Sequence, residues 1–376
     1  MNDKLLFTPG PLTTSAAVKA AMLHDLGSRD GDFLQRVKSV RERLLTIAGV
    51  AEPEYTAIPI QGSGTFGIEA TLGSAISRGG KLLVGSNGAY GARIAHIARV
   101  LGIACEVVEV PESERLPPAA LAAALARDPQ LSHLAVVHCE TSTGLCNDLA
   151  AIGAVARQHG RRFIVDAMSS FAGIAIDVAA LGIDLLITSA NKCLEGVPGF
   201  AIVLARRAAL AEAQGSARSV SLDLTAQLRG LDADGQFRFT PPTHALLACD
   251  RALTELLEEG GVAARAARYQ KNHDTLAAGM RELGFRTFLP AADQSYIITA
   301  YYCPEHPRFS FSRFYQALAE RGFVIYPGKV SRADCFRIGT IGRIGPDEVR
   351  ALLAAIREVL TELQLPIPLP QAEAGK

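Results

Sequence analysis

Three stretches of the chain hold residue types that could work together. LLITSANKCLEGVPG at 185–199 runs an apolar strand out into Ser189, Asn191 and Lys192. A lysine set among small residues just beyond a buried strand is short of water. Desolvation lowers an amine's pKa and leaves it nucleophilic, as Schiff-base chemistry requires. FIVDAMSS at 163–170 ends a second apolar strand in Asp166, and the carboxyl ends of strands in a parallel α/β sheet are where ligands bind. QGSGTFGIEA at 61–70 ends a third strand in a glycine-rich turn that opens a helix, so that Ser63, Gly64 and Thr65 offer N–H groups and hydroxyls to an anion. Each stretch also has an ordinary reading on its own: a surface loop lysine, a turn or N-cap aspartate, and a tight glycine turn.

Taken together, an amine, a carboxylate 26 residues before it and an upstream anion cradle meet the demands of one cofactor, pyridoxal 5'-phosphate. Its aldehyde needs an amine, its ring nitrogen needs a carboxylate to stay protonated, and its phosphate needs a helix N-terminus.

The elements that must position these groups follow from the hydrophobic pattern. From about residue 56, short apolar runs (AIPI, KLLVGS, CEVVEV, HLAVVH, RRFIVDA, DLLITSA) alternate with amphipathic stretches near 65–78, 90–102, 117–127 and 147–159. Runs without strict polar alternation belong to a mostly parallel sheet covered on both faces, so an α/β sheet of six or more strands is expected. After GFAIVLARRAAL, a polar stretch at 215–240 ends in FRFTPPTH, where prolines stop regular structure. A long helix over roughly 243–282 is expected next. RTFLP, SYIITAYY, FVIYPG and DCFRIGTIG follow as short strands, with helices near 310–321 and 346–362, and together these read as a smaller C-terminal α/β domain. The tail at 364–376 is proline-rich and is expected to fray.

The chain has 376 residues, more than the ~250–300 at which a single core usually stops growing, which fits a large domain plus a smaller one. With 38 basic and 38 acidic side chains, no nucleic-acid-binding surface is expected. No apolar run approaches the ~18 residues of a membrane span, and the N-terminus lacks a signal-like stretch, so a cytoplasmic protein is expected. The seven cysteines form no CxxC pair, which leaves neither a zinc cage nor a complete disulfide framework to read, and no metal is expected.

The chain resembles the class V branch of the fold-type I pyridoxal-phosphate aminotransferases. The likeness runs through LLFTPGPLTTS at 5–15, SNGAYGAR at 86–93, IVDAMSSFAGI at 164–174, SANKCLEGVPGFA at 189–201, RSVSLDL at 218–224, FRFTPPTH at 237–244, GGVAARAARYQ at 260–270, and GFVIYPGKV with DCFRIGTIG at 322–342. The resemblance implies a seven-stranded, mostly parallel sheet flanked by helices. It also implies an N-terminal segment 1–15 near the active site, a large cofactor-binding domain over 16–242 and a small domain over 243–376.

By position, the resemblance implies that Lys192 binds the cofactor's aldehyde and later shuttles a proton, and that Asp166 pairs with the ring nitrogen. Tyr90 and Met168 would cover the two ring faces. Gly64, Thr65 and Asn191 would hold the phosphate, joining Ser63 of the same turn, and Thr141 would lie near the cofactor's hydroxyl edge. Thr240 would reach across a homodimer interface to the neighbour's phosphate, and Arg337 would bind the substrate's acid group with its planar fork. The implied substrates are 2-aminoethylphosphonate and pyruvate, exchanged by ping-pong transamination. An alanine–glyoxylate or serine–pyruvate type of reaction is the alternative, and it would keep every cofactor residue. A cysteine desulfurase fits less well, because no cysteine stands in a glycine- or serine-rich loop. A phosphate-binding α/β protein without catalysis would use only the 61–65 turn. Arg29, His138, His244, Tyr326 and Lys329 are left without a role.

Overall fold

The computed structural model describes residues 3–328, 330 and 333–370. Lys329, part of the YPGKV signature, lies outside them. Seven strands form the main sheet: β1 (Tyr55–Gln61), β2 (Lys81–Ser86), β3 (Ala104–Glu109), β4 (Leu131–Val137), β5 (Arg162–Asp166), β6 (Leu185–Ser189) and β7 (Phe200–Arg206). Their spatial order is β1-β7-β6-β5-β4-β2-β3. Only β7 runs against its neighbours, and the other pairings are parallel. This is the mostly parallel sheet expected of fold-type I. Every residue of β6 is buried, whereas β3 at the edge is half-exposed and carries Glu106 and Glu109. A charged edge strand discourages pairing with another chain.

The helices α1 (Gly31–Ile47), α2 (Gly64–Ala75), α3 (Ala89–Val100), α4 (Pro118–Arg127) and α5 (Leu149–Gln158) flank this sheet. The polar stretch after β7 is not wholly irregular. It contains α6 (Leu224–Ala233), which Asp223 starts by accepting from Ala226 N at 2.9 Å. The long helix expected over 243–282 is two helices, α7 (Thr243–Glu259) and α8 (Gly261–Glu282). The break falls at Gly260 and Gly261, whose φ of 108° and 78° lie in the left-handed region that ends a helix.

A second core forms around a three-stranded antiparallel sheet, β8 (Ile298–Tyr302), β10 (Cys335–Gly339) and β9 (Tyr326–Pro327), in that spatial order. It is covered by α9 (Phe311–Glu320) and α10 (Pro346–Glu362). Phe285 packs edge-on to Phe336 with ring centroids 5.6 Å apart, a favoured aromatic geometry. RTFLP does not form the strand expected of it; Thr287 makes one isolated bridge to Tyr301. The tail does not fray at its start either. Leu365 and Leu369 are buried in this core and Leu369 N donates to Leu283 O at 2.9 Å, because apolar side chains alternate with the prolines; residues 371–376 lie outside those described.

The front of the chain also crosses this core. Leu5–Leu6 pairs with Phe323–Val324, Phe7 is buried, and Gly339 N donates to Phe7 O at 3.0 Å. The next residues, Pro9 and Gly10, arrive at the carboxyl ends of β5 and β6.

Candidate active site

β5 and β6 are hydrogen-bonded neighbours, and β5 ends in Asp166 opposite Ile187 of β6. The chain beyond β6 turns to place Lys192 on the same cavity of about 340 Å³, which Asp166 also lines. Asp166 is buried, and its Oδ1 accepts from Met168 N at 2.9 Å. Burial pushes its carboxyl up to about 6, against the Met168 N–H and the cations Lys192 and Arg93. A carboxylate this short of water gains by meeting a cation inside the cavity.

Lys192 Nζ donates to Pro9 O at 2.8 Å and Gly10 O at 2.9 Å. Burial holds its pKa down at about 8, with Cys193 and Asp166 opposing and Arg337 and Arg93 assisting. A neutral amine is therefore accessible near neutral pH. Gly10 has φ 103°, and a Cβ there would lie 2.6 Å from Lys192 Cδ, so only glycine lets the front segment approach so closely.

The turn at 61–65 opens α2 with Ser63 as N-cap, and the Ser63 side chain makes no capping bond. Ser63, Gly64 and Thr65 face the cavity, leaving the first N–H groups of the helix for a ligand. A Cβ at Gly64 would run into the Met168 sulfur, so this glycine lets the methionine close over the cavity. Asn191 also lines the cavity, its Oδ1 accepting from Ser189 Oγ at 3.0 Å.

Tyr90 and Met168 both line the cavity. Tyr90 is placed by a residue that the sequence reading missed. Glu140 Oε2 accepts from Tyr90 N at 3.0 Å and Gly91 N at 3.3 Å, doing at the start of α3 what the side-chain-less N-cap Gly88 cannot. Glu140 Oε1 accepts from Ser142 Oγ at 2.8 Å, and burial raises the carboxyl's pKa. The only signal for it was an acidic residue at a buried strand end. Arg93 was also missed. It lines the cavity, its Nη1 lies 3.4 Å from Thr65 Oγ1 and its guanidinium stands 4.9 Å over the Tyr90 ring.

Arg337 on β10 is 1% exposed and does not line the cavity itself. Its Nε donates to Pro327 O at 2.9 Å and its Nη1 to Thr141 O at 2.7 Å, while Tyr326, which does line the cavity, stacks against it at 4.9 Å. Burial lowers its pKa. Thr141 thus meets the site through its backbone, on the loop of a two-strand hairpin, Cys139–Glu140 with Leu145–Cys146.

Thr240 stands apart from its own chain's cavity; it is exposed and its carbonyl accepts from Gln61 Nε2 at 3.0 Å. Arg29 is exposed, and His244 contacts Asp25 at 3.1 Å on the surface. His138 Nδ1 lies 2.9 Å from Ser170 Oγ, and burial lowers its pKa to about 4, so it is a neutral structural histidine. Among the described residues no group of three or more His, Cys, Asp or Glu could hold a metal ion. Among those residues, too, no helix is long and apolar enough to cross a membrane.

The cavity therefore combines a depressed-pKa amine, a buried carboxylate whose pKa burial raises, an uncapped helix start and an aromatic face. These residues fit pyridoxal 5'-phosphate.

Known proteins give the same direction. The chain is 51% identical over 361 residues to a 2-aminoethylphosphonate–pyruvate transaminase of Vibrio cholerae, covering 96% of this chain and 98% of that protein. A protein of that name from Salmonella schwarzengrund is 53% identical over 358 residues, covering 95% and 97%. Among solved structures, pyridoxamine-pyruvate aminotransferase from Mesorhizobium loti superposes with a TM-score of 0.89 at 25% identity, covering 97% of this chain and 94% of that one. Ureidoglycine-glyoxylate aminotransferase from Bacillus subtilis gives 0.88 at 25%, covering 100% and 96%. The class-V aminotransferase profile matches residues 13–331. Since that match spans most of the chain, Asp166 and Lys192 included, the chain belongs to the class-V aminotransferases.

Proposed function

We propose that this enzyme moves the amino group of 2-aminoethylphosphonate to pyruvate, giving phosphonoacetaldehyde and L-alanine by a ping-pong cycle. The observation that carries the reading is the shared cavity of Lys192 and Asp166, in a chain half identical to transaminases of that name. The cofactor that the family implies is pyridoxal 5'-phosphate. When bound, it supplies an aldehyde that carries the amino group and a protonated ring that accepts the electrons of the broken C–H bond.

Lys192 is the residue to hold the aldehyde, Asp166 the ring nitrogen, and Ser63, Gly64, Thr65 and Asn191 the phosphate, with Tyr90 and Met168 on the ring faces. Lys192 Nζ takes the proton from the donor's amine-bearing carbon and returns one in the second half. Its lowered pKa leaves a base available at neutral pH. Arg337, buried against Tyr326 of the cavity wall, is the residue to receive the phosphonate of the donor and then the carboxylate of pyruvate once Tyr326 gives it access. In this reading Tyr326 and the Thr141 carbonyl aim its fork.

Exposed Thr240, beside half-exposed Phe239, supports a homodimer in which each chain completes its partner's phosphate site. We divide the chain into the front segment 1–15, a large domain to 242 and a small domain after it. Seven free thiols accord with a reducing, cytosolic compartment.

The test is alanine formation from pyruvate with a panel of amines. Donation by 2-aminoethylphosphonate far above serine and β-alanine supports the assignment, and equal rates defeat it. In Lys192→Ala, loss of the cofactor's protein-bound absorbance would confirm the attachment point.

A further inference from the structure

The GGVAARAARYQ motif at 260–270 has no part in the chemistry above, yet three of its side chains converge on the lysine's loop. Arg268 and Tyr269 lie about one turn beyond Arg265 on α8, so both share a face with it. Arg265 Nη1 donates to Cys193 O at 2.9 Å. Arg268 Nη2 and the Tyr269 hydroxyl both donate to Glu195 Oε1, at 2.8 and 2.6 Å. Glu195 is buried, its N–H donates to Lys192 O at 2.7 Å, and its φ of 61° is a left-handed conformation uncommon for a residue with a side chain.

The same two side chains also grip the segment that follows β10. Arg268 Nη1 donates to Gly342 O at 2.5 Å, and the Tyr269 hydroxyl accepts from Gly342 N at 3.3 Å. Glu259 balances the second arginine charge, 2.9 Å from Arg265 and 2.7 Å from Arg268. A buried charged cluster is a poor source of stability, so its location calls for another reason. Here it bridges the loop of Lys192 to the segment that leaves the strand of Arg337.

We propose that Glu195 is a positioning residue. Held by Arg268 and Tyr269, it fixes the lysine's backbone relative to the strand carrying Arg337, so that amine and acid-binding guanidinium keep one spacing through both half-reactions. This rests on the roles given to Lys192 and Arg337 above.

Glu195→Gly tests it, because glycine accepts φ 61° without strain. The backbone is relieved while the bridge is lost. Two quantities are measured on folded protein: the rate at which the apoprotein captures pyridoxal 5'-phosphate, followed by absorbance, and the KM for pyruvate. Capture is expected to slow at least tenfold and KM to rise at least fivefold. Glu195→Gln, which keeps an acceptor oxygen, should return both to within threefold of wild type. Tyr269→Phe, which removes one hydroxyl, should fall between and serves if the glycine variant does not fold. Wild-type capture and KM in folded Glu195→Gly, or in Tyr269→Phe should the glycine variant not fold, would overturn the proposal. Capture surviving in Lys192→Ala would instead overturn the underlying lysine assignment.

Discussion

Asp166 and Lys192 oppose each other's perturbation across one cavity: the lysine favours the ionised aspartate, the aspartate favours the charged lysine, and burial outweighs both. Each group is thus displaced toward neutrality.

Asp166→Asn should separate stability from binding. The carboxyl's pKa rises from 3.8 to about 6 on folding. A raised pKa contributes stability that is complete below the unfolded value and lost as pH climbs through the folded one. Above pH 6 the wild-type apoprotein therefore carries a penalty of up to roughly 3 kcal/mol, which the neutral amide escapes. Urea unfolding should find apo Asp166→Asn the more stable at pH 8, with the gap closing toward pH 4. Its transamination should nevertheless drop by about 10²-fold or more, since the ring nitrogen loses its counter-charge.

Lys192 should react as an unusual lysine. With a pKa of about 8, its capture of pyridoxal 5'-phosphate by the apoprotein should accelerate as pH rises through that value and level off near 9. Acceleration continuing past 10, as for a solvated lysine, would contradict the burial described for it.

Arg337→Lys should weaken both substrates together. An ammonium puts its three donors on one nitrogen, so it cannot span Pro327 O and Thr141 O and still offer an incoming acid a paired fork, as the planar guanidinium does. Losing a charged hydrogen bond corresponds to roughly a 10–100-fold rise in KM. Steady-state kinetics should show it for donor and acceptor alike; a change in only one would mean that the two acid groups bind in different places.

Gly10→Ala should impair the site with the scaffold intact. Its φ of 103° costs a side-chain-bearing residue about 1–3 kcal/mol, and the new methyl lands on the lysine's own stem. Activity should fall at least about tenfold while circular dichroism shows native helix content.

Much of this site was legible because its residues sit where strands end. Asp166 and Lys192 follow unbroken apolar runs, and the turn at 61–65 announces a helix start by its glycines. The mostly parallel sheet of six or more strands was similarly open to reading, since strands covered on both faces carry continuous apolar sequence, while the count of seven came from the family resemblance. What stayed hidden depends on contacts between distant segments. Glu140 acts on Tyr90 fifty residues away, and nothing local marks an acid that caps another segment's helix. The two-glycine break at 260–261 was read through because amphipathic pattern continues on both sides, and pattern alone does not register a change of direction. The tail was misread because prolines there interrupt regular structure without preventing burial of the leucines between them.

The passage of Leu5, Leu6 and Phe7 through the second core has a practical side. The carbonyls that receive the Lys192 protons belong to Pro9 and Gly10, anchored just behind by Phe7. Deleting this leader strip, or fusing a bulky carrier against it, would strip the reactive amine of its resting acceptors even though every catalytic side chain remained encoded.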